Sequence, residues 1–175
     1  MNVRLQTDND TADIENLLDM AFGTDRLSKA AYSLREGVDA VPALSFVIDM
    51  GGNITGTLRF WEITIDNNCK SVDGLLLGPI AILPRLQGLG LGIKLMNSGL
   101  AEAKKLGHKR VLLVGEEAYY KRIGFSRDIA KNITIPGQLD ESRILAKELV
   151  KGSMCNIVGA VQKRHLNVMQ TALYS

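Results

Sequence analysis

Gly88, Gly90 and Gly92 alternate with leucines behind Gln87, and all of them stand at the head of a long run with helical spacing. The preceding stretch, from Leu75 to Leu83, is almost wholly apolar and turns at Pro84. A buried strand running through such a turn into a helix makes a site for an anion. The first N–H groups of a helix have no intrahelical partner, and the macrodipole adds partial positive charge there. Glycines remove the side chains that would hold a large anion away from the backbone, so the segment reads as a phosphate cradle. The competing reading is a glycine-rich turn that lets a helix pack closely on a sheet. Three alternate glycines exceed what packing alone requires, which favours the ligand. Arg85 either adds charge near the phosphates or is a solvated side chain.

Two familiar phosphate loops are excluded by spacing. A dinucleotide fingerprint needs a small residue at the last position of G-x-G-x-x-G/A, but Ile93 or Leu95 stands there. The region about 20 residues on carries Gly107, His108, Lys109, Arg110 and Val111, with no acid for a ribose. A P-loop needs Gly-Lys, and no such pair occurs in the chain.

Gln87-Gly88-Leu89-Gly90-Leu91-Gly92, preceded by Leu83-Pro84, instead resembles the acetyl-CoA pyrophosphate loop of the GNAT superfamily of acyl-CoA-dependent N-acyltransferases. Gly74 to Leu83 is similar to that family's central strand. Ala118-Tyr119-Tyr120-Lys121-Arg122-Ile123-Gly124-Phe125 resembles its short helix and Gly-Phe turn. The likeness is tight over residues 75 to 126 and loose over 1 to 165, and its wording is that of a bacterial subgroup of N-acetyltransferases.

The resemblance implies an α/β domain spanning residues 1–175, its mostly antiparallel sheet splayed at the fourth strand and its helices on both faces. It implies acetyl-CoA as co-substrate and acetyl transfer, by direct attack, to a primary amine of a small molecule or protein. The pantetheine arm would pair with Ile80, Ala81 and Ile82, and the pyrophosphate would lie on Gln87, Gly88, Leu89, Gly90, Leu91, Gly92 and Ile93. Tyr120 falls at the family's tyrosine position and would protonate the departing sulfur, a feasible transfer from a phenol at about 10 to a thiolate near 8.5. Its neighbour Tyr119 is then the better core residue. Glu62, on the strand that would flank the acceptor channel, and Asp73, at the start of the central strand, are the candidate general bases, directly or through water; the competing reading of each is an exposed strand carboxylate. Leu113 stands where the family often has an asparagine that helps to hold CoA, so that contact is in doubt. A non-catalytic acyl-CoA-binding or regulatory module of the same fold is the alternative. A toxin acetyltransferase acting on tRNA would want a stronger basic patch.

These residues need elements to position them. Asn2 to Gln6 reads as a strand, and Thr7 to Asp10 cap a helix carrying Ile14, Leu17, Leu18 and Ala21, closed by Gly23. Arg26 to Glu36 reads as a second helix, and in the superfamily this pair walls the acceptor pocket. Leu44–Met50 and Ile54–Ile65 form a hairpin across Gly51-Gly52-Asn53. Ser71–Leu83 is the central strand, broken at Gly78-Pro79, because a proline cannot donate to a ladder. A helix over Gly90–Leu106 buries Ile93, Met96, Leu100 and Ala103, and Lys109–Val114 continues as a parallel strand. Arg143–Val150 suits a helix by propensity, but the resemblance implies a strand paired with Asn156–Gln162.

The balance of the chain is ordinary: 46% hydrophobic and 23% charged residues, with a net charge of +2. That charge argues for neither a nucleic acid nor an anionic membrane, and no run approaches the length of a transmembrane helix. Cys69 and Cys155 sit in unrelated contexts and read as free thiols of a cytoplasmic protein. His108 and His165 are expected to be structural, and metal-ligand spacing is absent. The C-terminal strands offer a surface for a homodimer.

Overall fold

The computed structural model describes residues 1–67 and 70–164, so Cys69 and His165 lie outside the described residues. Strands β1 (Asn2–Leu5), β2 (Phe46–Met50), β3 (Asn53–Asn67), β4 (Lys70–Ile82), β5 (Arg110–Val114), β6 (Ile133–Thr134), β7 (Ile144–Glu148) and β8 (Gly159–Lys163) build the sheet. Their order is β1-β2-β3-β4-β5-β7, with β8 pairing to β3 and β6. Among the described pairs only β4/β5 and β6/β8 are parallel. The longer helices are α1 (Thr11–Phe22) and α3 (Leu91–Lys105); α2 (Ala30–Ser33), α4 (Glu117–Tyr120) and α5 (Arg127–Ala130) are single turns.

Strand alternation sends the two faces to different helices. Phe46, Ile48, Leu58, Phe60, Leu75 and Leu77 pack under Leu91, Leu95, Met96, Leu100 and Ala103 of α3. Val47 and Ala81 face the other way, onto Ile14, Leu17 and Leu18 of α1. The start of α1 is tied to β1 by a single carboxylate. Asp10 closes a capping box with Thr7 and accepts from both Nη atoms of Arg4 at 2.8 Å. That pairing holds the Asp10 carboxyl well below the usual carboxylate range.

The strand β4 parts from β5 where it was expected to. Parallel pairing is confined to Leu75↔Val111 and Leu76↔Leu112. On its other edge β4 stays paired with β3, through a bulge in which Gly78 and Pro79 together oppose Arg59. Gly78 has φ 123°, and its peptide bond to Pro79 is cis. Beyond the bulge, Ile80 to Ile82 keep β3 on one edge and, among the described residues, have no strand on the other.

Three expectations are corrected. The segment Arg26–Glu36 is not one helix: a 3-10 turn over Thr24–Ser28 breaks at Lys29, which is extended, before α2. The break lets Arg26 turn inward to Asp19, Glu15 and Tyr32. Strand β7 pairs with β5, and β8 with β3, rather than with each other. Burial gives the reason: β7 hides Leu145 in one core and Ile144 and Ala146 in the opposite one. A strand apolar on both faces needs cover on both, and the place beside β5, at the end of the sheet order, puts β7 between the two cores. In α3, Leu95 takes the core position expected of Ile93, which is only partly buried.

Candidate active site

The splay opens a groove of about 390 Å³ between the free edge of β4 and the head of α3. Ile80, Ala81 and Ile82 form one wall; Gln87, Gly88, Gly90, Leu91, Gly92 and Ile93 form its floor. Gly90 is the N-cap of α3, with φ 77°, and the first helical bond runs from the Lys94 N–H to the Gly90 carbonyl. No side chain caps the amides ahead of it. Gly88 and Gly90 are both left-handed, and a Cβ at either would meet nothing within 4 Å. Glycine is therefore required there by the backbone, while the space beside it stays open.

Gly92 has the other use. A Cβ there would stand 2.8 Å from the Tyr119 hydroxyl and 3.8 Å from Ile80 and Ile82, so this glycine serves close packing of helix on strand. Gln87 donates its side-chain amide to the Ile82 carbonyl at 3.1 Å, bracing the end of β4 against the turn. Leu89 is 67% exposed, and Arg85 does not line the groove. The cation that does is Arg122.

Tyr119 and Tyr120 both line the groove, with burial opposite to expectation. Tyr119 is the exposed one, at 39%, and its hydroxyl lies over the start of α3. Tyr120 packs edge-on against Phe125 at 6.3 Å and against Tyr119 at 5.0 Å. Its ring lies on Gly115, where an added methyl would run into it. Burial pushes the Tyr120 phenol up to about 12, with a further push from Tyr119. Leu113 is 1% exposed and points into the core under α3.

The expected bases lie elsewhere. Arg59 and Trp61 of β3 face a second cavity, so Glu62 between Trp61 and Ile63 faces the opposite side of the sheet. There it pairs with Arg164 at 3.6 Å, and Arg164 also meets Asp73 at 3.5 Å. Neither carboxylate lines either cavity. His108 follows the far end of α3, about 22 Å from its head at 1.5 Å per residue.

The second cavity, of about 600 Å³, is walled by Glu15 and Leu18 of α1, by residues 26–30, 32, 33, 35 and 36, by Arg59, Trp61 and Pro79, and by Pro136-Gly137. It abuts the groove across α1 and the β4 bulge, where Pro79 lines one cavity and Ile80 the other. Sequence spacing carried no signal for Arg59, Trp61, Ala21 or Phe22, because chain folding alone brings them to these walls. Among the described residues no helix is long and apolar enough to cross a membrane, and no three or more His, Cys, Asp or Glu cluster as a metal site.

A sheet opened along one strand, with an uncapped glycine turn aimed into the opening, is the architecture of acyltransferases that hold a thioester as an extra strand. Residues 11–125 match the Acetyltransferase (GNAT) family, and the chain belongs to it. It is 32% identical over 116 residues to the uncharacterised N-acetyltransferase YjhQ of Escherichia coli strain K12, a match that spans 66% of this chain and 64% of that relative. To the uncharacterised N-acetyltransferase YhbS of the same strain it is 25% identical, over 95% of this chain and 99% of that one. The fold is shared with the crystal structure of YhbS from Escherichia coli in complex with CoA (TM-score 0.78, 24% identity, 93% and 89% of the two chains). It is shared also with a GNAT acetyltransferase from Brucella melitensis in complex with acetyl-CoA (TM-score 0.68, 23% identity, 93% and 95%).

Proposed function

We propose that this protein transfers an acetyl group from acetyl-CoA to a primary amine in a cytoplasmic setting. The observation that carries the reading is the open cradle. Gly88 and Gly90 are left-handed with vacant space where a Cβ would stand, beside uncapped amides at the head of α3. The pyrophosphate lies on those amides, with Arg122 supplying charge at the rim. The pantetheine arm runs along Ile80–Ile82 and bonds to the strand edge as a further strand would.

The acetyl carbonyl then falls near the bulge, where the groove meets the second cavity. A neutral amine entering from that cavity attacks the carbonyl carbon; the C–N bond forms and the C–S bond breaks. Tyr120 remains protonated at neutral pH and faces the groove, so it donates a hydrogen bond to the departing sulfur. Its raised pKa favours sharing the proton over surrendering it to a thiolate near 8.5. The proton that ends on CoA is the one the amine loses. Glu62 and Asp73 face away, so the amine is taken up already neutral, with no side-chain base assigned.

Tyr120→Phe tests the assignment. In a free-thiol assay with an amine panel, kcat falls by about 10²-fold, the usual cost of removing one hydrogen-bond donor to developing charge, while the dissociation constant for acetyl-CoA changes less than threefold. An unchanged kcat removes Tyr120 from the chemistry. A wild-type protein that binds acetyl-CoA but releases no thiol above its hydrolysis rate is the non-catalytic module instead.

A further inference from the structure

We infer that the acceptor amine also carries an anionic group, a carboxylate or phosphate, which docks on Arg35 in the cavity beside the β4 bulge. The inference rests on the acetyl-transfer reading and names the substrate class for it.

Two cations of this cavity make no ion pair among the described residues: Lys29, which is exposed, and Arg35. The Nε of Arg35 is buried and has no hydrogen-bond partner. The neighbouring arginines are satisfied. Arg26 holds Glu15 at 2.5 Å and Asp19 at 2.8 Å. Arg59 holds Gln6 at 2.9 Å and the second oxygen of Glu15 at 3.3 Å. Glu15 is thereby spent on two arginines, and Glu36 is exposed with no ion pair among the described residues.

An Nε held this way is costly to the fold, since a buried donor normally keeps a partner. Burial pulls Arg35 down to about 10, against an opposing pull from Tyr32 and with the help of the nearby charges of Arg59 and Arg26, and leaves it a cation at neutral pH. An incoming anion would relieve the desolvation and the mutual repulsion together.

The surroundings describe the ligand. The guanidinium stacks over Tyr32 at 4.7 Å and stands 6.0 Å from the Trp61 ring, so its planar fork is fixed between aromatic walls. Trp61 is itself anchored by a 2.6 Å bond from its indole N–H to the Gly78 carbonyl. The Arg35 Nη2 lies 3.0 Å from where a Gly78 Cβ would be, directly over the bulge. An anion on Arg35 is thus held within a small molecule's length of the transfer point. A cavity of about 600 Å³ suits a small amine rather than a folded protein surface.

The test uses matched acceptors: amino acids beside their carboxamides, O-phosphoethanolamine for phosphate, and spermidine as a cationic amine. Turnover is read by thiol release, and binding to the CoA-loaded protein by titration calorimetry. Wild type should prefer the anionic member of a pair by at least about tenfold in kcat/KM and in affinity, the scale of one charge-assisted bond. Arg35→Gln should bring that ratio to near one, and Arg35→Lys should restore part of it, while affinity for acetyl-CoA stays within twofold. The better of the carboxylate and phosphate arms names the group. Equal use of acid and amide, a preference for spermidine, or a ratio unchanged in Arg35→Gln would overturn the inference. Arg35-dependent binding of an anionic amine without thiol release supports the anion site and sinks the acetyltransferase reading.

Discussion

Gly90 offers a direct measure of the cradle, because its substitution separates two costs. At φ 77°, with nothing within 4 Å of an added Cβ, Gly90→Glu meets no clash but must hold a left-handed residue. That conformation costs an ordinary L-residue about 1–2 kcal/mol. In a chain of this size the cost lowers Tm by about 2–4 °C for each kcal/mol. The second cost falls only on the ligand. The new side chain occupies the open space beside the α3 amides and sets a carboxylate where a pyrophosphate would lie. Losing one or two charge-assisted bonds at about 1.5–3 kcal/mol each, with repulsion added, weakens CoA binding by at least about 10²-fold. Gly90→Asn is the control, since asparagine tolerates the left-handed region and carries no charge. It should keep more of the wild-type Tm than Gly90→Glu while still binding CoA less tightly than glycine. Calorimetric titration with CoA, beside thermal unfolding of the same samples, reads both costs. A Gly90→Glu protein that binds CoA within threefold of wild type would refute the cradle, whatever its Tm.

Other substitutions probe the supports. Gly115→Ala pushes the Tyr120 ring off its seat and should lower kcat by at least about tenfold while leaving CoA affinity within threefold, as seen by thiol release and calorimetry. Gly99→Ala puts a methyl 2.6 Å from Phe60 Cε2, and overpacking of about 1–3 kcal/mol should outweigh the gain of about 1 kcal/mol in helix propensity, a net fall in chemical-denaturation midpoint. Burial raises the Tyr120 pKa above its unfolded value of about 10, so the stability it carries is intact below pH 10 and lost toward pH 12. Urea unfolding across that window should show a decline that Tyr120→Phe lessens. Asp10 has the opposite sign: its pKa is lowered by Arg4, so its contribution is present above about pH 4 and fades below it, and Asp10→Asn should flatten the acid limb of the unfolding curve.

What could be read in the chain was local. The glycine turn, the strand before it and the helix after it are written in consecutive residues, and Pro79 announces a break in the β4 ladder by its chemistry alone. What escaped was set by distance along the chain or by one-residue differences in facing. Pairing of β7 with β5 joins residues 30 to 38 positions apart, a separation that no local pattern marks. Tyr119 and Tyr120 are neighbours on a single helical turn, where no periodicity shows which one is covered. Glu62 lies on β3 as expected but lines neither cavity, whereas Arg59 and Trp61, on the other face of that strand, line the second. The break at Lys29 follows from the demands of a buried Arg26, a tertiary cause with no local mark.

The unpaired edge of β4 has a further consequence for the protein as a solute. An open row of backbone donors and acceptors is the ordinary seed of edge-to-edge aggregation, and proteins shield such rows with prolines, bulges or covering segments. Here the bulge and Pro79 sit at one end of the row, and α3 and the tyrosines of α4 crowd the remainder. On the proposed reading, the co-substrate is also the last shield, so an empty protein should self-associate sooner than one kept saturated with CoA.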